Sequence, residues 1–215
     1  MHAQHFSALL LCGLATACPM AARQAATATA AAPGAGTTGT GSGVDMVAAI
    51  QAIMPTSGSC PGGNDECRTA KQAAPFISKA CADLSDGECA ATLALIGLES
   101  GDLKYKHNIG NGVPGQGTAN MMSPTYVSQY ATALFGAGRV SGKSPVEVLA
   151  LVTPDEYNFG SAAWYLTTVC TAEVRSSLKT GTDAAWAAYS QCVGATDPDG
   201  RRMNYWIRAK AAFKL

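Results

Sequence analysis

Apolar residues recur along this chain at three- and four-residue intervals, and the polar residues between them supply helix starts and stops. Residues 44–54 form a short apolar run closed by Pro55. A helix is predicted over 68–84, kinked near Pro75 because proline removes a backbone donor. Ser85-x-x-Glu88 is a capping box, in which hydroxyl and carboxylate satisfy two orphan N–H groups, and it opens a helix to about residue 100. Ser123-Pro124 opens another, ending at Phe135. Ser144-x-x-Glu147 with Pro145, and Thr153-x-x-Glu156 with Pro154, open two more. Further helices are predicted at 158–170, 172–179, 183–193 and 200–213. Only 102–120 breaks the pattern: its glycines at 110, 112, 115 and 117 predict a loop or short hairpin. The expected fold class is all-α, one helical domain with a very small irregular or β lobe.

The two ends of the pattern set the domain limits. Residues 1–22 read as a signal peptide, with an apolar run from Phe6 to Ala15 and an A-x-A site at Ala15-Thr-Ala17. That run is shorter than the roughly 20 residues a membrane span requires, so the mature chain is expected to be soluble. Residues 23–43 are Ala, Thr and Gly with almost no bulky side chain, a linker composition that offers too little apolar surface to offset ordering entropy. The folded unit is expected over 44–215.

Hydrophobic residues make up 47% of the chain, enough for a sizeable core, and the formal net charge is +0, which gives no electrostatic footprint for nucleic acid. Eight cysteines are present, two of them, Cys12 and Cys18, in or beside the leader. The even remainder, Cys60, Cys67, Cys81, Cys89, Cys170 and Cys192, reads as a disulfide set in a secreted chain. Closeness in sequence favours 60–67, 81–89 and 170–192. Zinc is the rival reading, but there is no C-x-x-C pair.

Several motifs lead nowhere. Gly110-x-Gly112-x-x-Gly115 follows a helix, contains Pro114 and opens no helix, so it is not a dinucleotide fingerprint. Gly142-Lys143-Ser144 lacks the earlier glycine of a phosphate loop, Ala137 standing in its place. His107 is the sole histidine after the leader, which removes paired-histidine zinc chemistry, and no G-x-S-x-G elbow exists for a serine triad. No metal or cofactor is expected. Carboxylate catalysis is what remains.

The predicted helix ending at Glu99 is apolar on nearly every face from Ala90 to Leu98 and should run through the core. Desolvation and the negative helix end would both favour the protonated form of Glu99, as a general acid requires. Asp102, three residues on, falls on a neighbouring face if the helix continues. Glycosidases usually employ two carboxylates, about 5 Å apart for retention and 6.5–9.5 Å for inversion. Asp155 and Glu156 are the other acids open to the site through folding, Glu156 already having a capping role. Tyr105, Gln116, Thr118 and Asn120 lie on the glycine-rich segment, where backbone can approach a sugar closely, and are candidate substrate contacts. Tyr126 and Tyr130 share a helix face and suit either core or groove wall; Trp164 and Tyr165 suit the core.

The string Ala94-Leu-Ile-Gly-Leu-Glu-Ser-Gly-Asp-Leu-Lys-Tyr105, followed by Pro114-Gly-Gln-Gly-Thr-Ala-Asn-Met-Met-Ser-Pro124, resembles the lysozyme-like superfamily. Lytic transglycosylases and goose-type lysozymes share its Glu-Ser at a helix end, a Gly-rich stretch and a G-L-M-Q-type turn. The closer resemblance is to fungal secreted muramidases of glycoside hydrolase family 184, in which E-S-G-D-F-K-Y-N…P-G-Q-G-T-R-N-M recurs. Cys67-Arg-Thr-Ala-x-Gln-Ala-Ala-Pro75 and Phe159-Gly-Ser-Ala-Ala-Trp-Tyr-Leu-Thr-Thr-Val-Cys170 also look like that family. The resemblance spans about 60 to 195.

That resemblance implies an extracellular, monomeric, antibacterial muramidase. Glu99 would be the general acid on the β-1,4 bond between N-acetylmuramic acid and N-acetylglucosamine of bacterial peptidoglycan. The chain departs from the pattern at Met122, where the G-L-M-Q turn has glutamine, and at Ala119, where the family has arginine. Three other readings stay open: a lytic transglycosylase using the same Glu, a catalytically silent wall-binding protein, and chitin as substrate. Arg201, Arg202, Arg208, Lys210 and Lys214 make the C-terminal helix locally basic, suited to an anionic wall.

Overall fold

Helix starts are written by short hydroxyl–carboxylate or hydroxyl–amide pairs. In the computed structural model, which describes residues 43–215 except 64, 111 and 198, two predicted capping boxes form. Ser85 and Glu88 start one helix and Ser144 and Glu147 another. Thr69 and Gln72 make a third box that the sequence pattern had not singled out. The box expected at Thr153 does not form. The Thr153 hydroxyl instead donates 2.8 Å back to the Leu149 carbonyl, and Glu156 pairs with Lys79 at 3.3 Å. The expected leader at 1–22 and the expected linker at 23–43, save Gly43, lie outside the described residues.

The helices are α1 (Met46–Ile53), α2 (Ala70–Cys81), α3 (Asp86–Glu99), α4 (Pro124–Phe135), α5 (Ala137–Val140), α6 (Pro145–Val152), α7 (Asp155–Asn158), α8 (Ser161–Thr168), α9 (Ala172–Leu178), α10 (Asp183–Cys192) and α11 (Arg201–Phe213). Helix α2 continues through Pro75. The helix predicted at 158–170 is shorter, because Asn158 closes α7 and Gly160 caps α8. Among the described residues, β structure is confined to two isolated antiparallel bridges, His107–Gly117 and Gly117–Met122. They pin the glycine-rich lobe into a double-backed loop. The domain is mostly helical with one continuous core.

Helix α3 is the axis of that core. Every residue from Gly87 to Gly97 is buried, as its all-round apolar sequence predicts. It packs mainly against α11, with α1, α8 and α9 around it. Trp206 of α11, fully buried, stacks on Trp186 of α10 with centroids 5.4 Å apart. Gly97 allows the α3–α11 approach: a Cβ there would lie 2.6 Å from the Tyr205 ring. Gly97→Ala is therefore expected to cost about 1–3 kcal/mol through overpacking, read as a lowered urea midpoint.

The start of α3 carries a buried carboxylate. Glu88 is 2% exposed, caps Ser85, and accepts from Arg175 Nε at 2.9 Å. Burial alone would raise its carboxyl, but the Ser85 backbone and hydroxyl and the Arg175 guanidinium outweigh it, holding it below the ordinary carboxylate range. A carboxyl lowered by folding stabilises the protein above its unfolded value, and that contribution fades as pH falls toward the folded value. Glu88→Gln is thus expected to lose about 1–3 kcal/mol at neutral pH and to flatten the loss of stability below about pH 4.3. Denaturant melts at neutral and acid pH check this.

Three disulfides, Cys60–Cys67, Cys81–Cys89 and Cys170–Cys192, join the neighbours that sequence proximity favoured. The second ties the end of α2 to α3, and the third ties the segment after α8 to the end of α10. Such a set fits an oxidising compartment. Among the described residues no helix is long and apolar enough to cross a membrane.

Candidate functional site

Glu99 is the last residue of α3, and the turn after it is unusual. Gly101, Asp102 and Leu103 all have left-handed backbone, with φ of 59, 61 and 68°. Non-glycine residues rarely adopt this conformation in succession, so the turn must be held from outside. Ser100 holds it. Its hydroxyl donates to the Ile96 carbonyl at 2.7 Å and accepts from the Leu103 N–H at 2.8 Å. Its carbonyl accepts from the Tyr105 N–H, and the Asp102 N–H donates to the Gly97 carbonyl. The serine of the Glu-Ser pair is thus buried and fastens the reversal that carries the chain away from Glu99.

That reversal sends Asp102 to the opposite side. Its carboxylate is 6% exposed and accepts from the Thr56 N–H at 3.0 Å, the Thr56 hydroxyl at 2.8 Å and the Tyr205 hydroxyl at 2.5 Å. Burial, then this hydrogen bond to Asp102, pushes the Tyr205 phenol up to about 12. Asp102 is a brace between the α1 end, this turn and α11. The expected catalytic role is corrected: it rested on the helix continuing to 102, and the helix stops at Glu99.

Glu99 itself stands between two cavities. One, of about 310 Å³, is lined by Leu95, Gln116, Asn120, Met122, Tyr126, Tyr165 and Arg202 among others. The other, of about 380 Å³, is lined by Tyr105, His107, Asn108, Ile109 and Gly110. Glu99 and Met121 belong to both walls, so the two are halves of one groove over the end of α3. Each is within the size range of small-ligand sites.

The environment of Glu99 differs from the one its apolar helix predicts. Its side chain is 21% exposed, and Oε1 lies 2.6 Å from Arg202 Nη2. A contact this short between guanidinium and carboxyl is a charge-assisted hydrogen bond. The expectation of a Glu99 set in apolar surroundings is therefore corrected: an ion pair with Arg202 occupies that place. Sequence reading missed this contact because Arg202 lies on α11, far along the chain. One signal was available: two arginines in the first turn of a helix run against its macrodipole.

The other candidates divide between groove and scaffold. Tyr105, 39% exposed, and Asn120 line the groove. Gln116 also lines it, but accepts from the Asn108 amide at 2.8 Å and donates to the Met121 carbonyl at 3.3 Å. Asn120 Oδ1 accepts from the Thr118 and Ser161 hydroxyls at 2.9 and 2.7 Å. Thr118 is fully buried with φ of 63° and does not line the groove, which corrects its expected substrate contact. Tyr126 forms groove wall, edge-on to Tyr165 at 4.8 Å, while the Tyr130 hydroxyl is spent inside on the Tyr157 carbonyl. Burial and then Tyr126 push the Tyr165 phenol upward.

The possible second acids are engaged elsewhere. Asp155 receives Arg68 Nε and Lys106 Nζ, each at 2.6 Å. Burial would raise it, yet hydrogen bonds from Lys106 and Arg68 prevail and lower it. Glu66 holds His107 Nδ1 at 2.9 Å and the Lys106 N–H at 3.1 Å. Together these charges anchor the glycine-rich lobe beneath the groove. Among the described residues lining the two cavities, Glu99 is the one carboxylate.

A protein of Fusarium oxysporum (strain Fo5176) named bifunctional dioxygenase (DOX)-epoxy alcohol synthase (EAS) is 44% identical to this chain over 158 residues. The match covers 67% of this chain and 12% of that protein, so the chain spans about an eighth of the relative's length. No family model matches the chain. No solved structure matches it either.

Proposed function

We propose that this domain cleaves the β-1,4 glycosidic bond of bacterial peptidoglycan, with Glu99 as the acid–base group, in a lysozyme-like helical fold. The observation that carries the reading is the position of Glu99 at the waist of a two-lobed groove, where a polymer can pass over it. The groove's chemistry suits a saccharide: an exposed tyrosine face, amide donors and a backbone lobe rich in glycine. In this reading the saccharide displaces Glu99 from Arg202, Glu99 takes a proton from solvent and delivers it to the glycosidic oxygen as the C1–O bond breaks, and afterwards it accepts a proton from the attacking hydroxyl. The disulfides fit an extracellular protein acting on such a polymer.

A second reading, a lytic transglycosylase, is favoured by one observation. With Asp102 and Asp155 occupied structurally, no second groove carboxylate is at hand among the described residues to activate water. Attack by the muramyl 6-hydroxyl needs only Glu99 to relay the proton. The dioxygenase and epoxy alcohol synthase activities belong to the name of a relative of which this chain matches an eighth, and they do not enter the proposal.

Digestion of purified peptidoglycan followed by mass analysis tests both readings. Muramyl reducing ends are expected for hydrolysis, and ends lighter by one water for transglycosylation. Release of neither, with wall still bound, would overturn both and leave a binding protein.

A further inference from the structure

We propose that His107 is a second catalytic residue of the groove, the base that takes the proton of an attacking water. This rests on the glycan-cleaving reading of Glu99 and, for the hydrolytic case, sends that proton to His107 instead of back to Glu99. His107 lines the same cavity as Glu99 and Tyr105. Its backbone is bridged to Gly117, where a Cβ would stand 2.8 Å from the His107 Cβ, so glycine is what lets the two strands of the lobe close. Nδ1 is buried, with Glu66 Oε2 2.9 Å away, and Glu66 is itself held by the Lys106 N–H at 3.1 Å. The side chain is still 33% exposed, and with Nδ1 shut away the nitrogen left for a ligand is Nε2.

A carboxylate beside Nδ1 favours the tautomer with its proton there, which leaves Nε2 a lone pair. An imidazole backed by a carboxylate is the arrangement of a general base. The charged groups around it are Glu66 behind the ring and Glu99, paired with Arg202, in the shared groove. The glycine-rich lobe has a separate anchor in Lys106. Its ammonium meets Asp155 at 2.6 Å and its carbonyl accepts from the Asn158 amide at 3.0 Å, so the lobe does not depend on the imidazole for its place. In the step proposed, a water oxygen bonds to C1 as the bond from C1 to the glycosidic oxygen breaks. The water proton passes to Nε2 and the Glu99 proton to the departing oxygen. The imidazolium then returns its proton to solvent, and Glu99 takes a new one from it.

The test compares wild type with His107→Ala and His107→Gln on solubilised peptidoglycan, with product ends identified by mass and the first-formed anomer by NMR. Wild type is expected to release muramyl reducing ends born as the α-anomer, because base-activated water reaches C1 from the face opposite the leaving oxygen. His107→Ala should lower their release about a hundredfold or more, and imidazole added to the buffer should restore about tenfold or more of it. His107→Gln fills the space without a base, so it should be as slow and gain nothing from imidazole. Ends lighter by one water, which need Glu99 alone, should persist in both variants. Unchanged release of reducing ends by either variant, a β-anomer from wild type, or a loss that imidazole does not relieve and that falls equally on both kinds of end would overturn the proposal. Wild type that yields only ends lighter by one water would sink this proposal and leave cleavage by Glu99 standing. No cleavage by wild type would sink both.

Discussion

Glu99→Gln is expected to lower the rate of glycan cleavage by about two to four orders of magnitude, the usual contribution of a positioned acid–base group, while saccharide binding persists. The amide is nearly isosteric, can still accept from Arg202 through its carbonyl, and cannot deliver or receive the proton. Because Glu99 closes α3 at a partly exposed groove wall, its replacement should leave thermal stability close to that of wild type. Rates on solubilised peptidoglycan and a thermal melt read the two effects separately. A rate within a few-fold of wild type would remove Glu99 from the chemistry.

The second large effect is on stability. Asp102→Ala is expected to cost about 3–4 kcal/mol. It leaves the Thr56 and Tyr205 donors without their charged acceptor and puts a residue with no αL preference at φ of 61°. In a domain of this size that corresponds to a fall in Tm of roughly 6–15 °C. Asp102→Asn should cost less, since asparagine tolerates the left-handed backbone and keeps one acceptor oxygen. Both variants, assayed below their melting points, should cleave glycan within a few-fold of wild type. A large loss of rate in Asp102→Asn with little loss of stability would return Asp102 to the catalytic machinery.

The contrast between these neighbours shows how far the amino-acid sequence could be read. Helix positions were legible where local chemistry decides them, as at Ser85–Glu88 and Ser144–Glu147. The disulfides followed sequence proximity. The buried course of α3, and Glu99 at its end, followed from an apolar run with no polar face. Thr153 shows the limit of a local rule: a preceding helix offered its hydroxyl a carbonyl, and the capping box lost. Asp102 failed because three successive left-handed residues cancel helical spacing. No local pattern announces that turn beyond Gly101 and the serine that locks it. The Arg202 contact showed only as arginines set against a helix dipole, and its partner was illegible for another reason. It depends on how α11 docks on α3 through Gly97 and Tyr205, a tertiary choice made across the whole domain. Thr118 likewise sits beside groove residues in sequence, yet its backbone turns it inward.

The most direct test of the account is the structure of the Glu99→Gln variant with a muramic acid–N-acetylglucosamine oligosaccharide bound. Sugar rings are expected on both sides of position 99, along Tyr105 on one side and Asn120 and Arg202 on the other. One glycosidic oxygen should lie about 2.6–3.2 Å from the side-chain amide that replaces the carboxyl. An oligosaccharide bound elsewhere on the surface, or one whose linkages all avoid the end of α3, would contradict it.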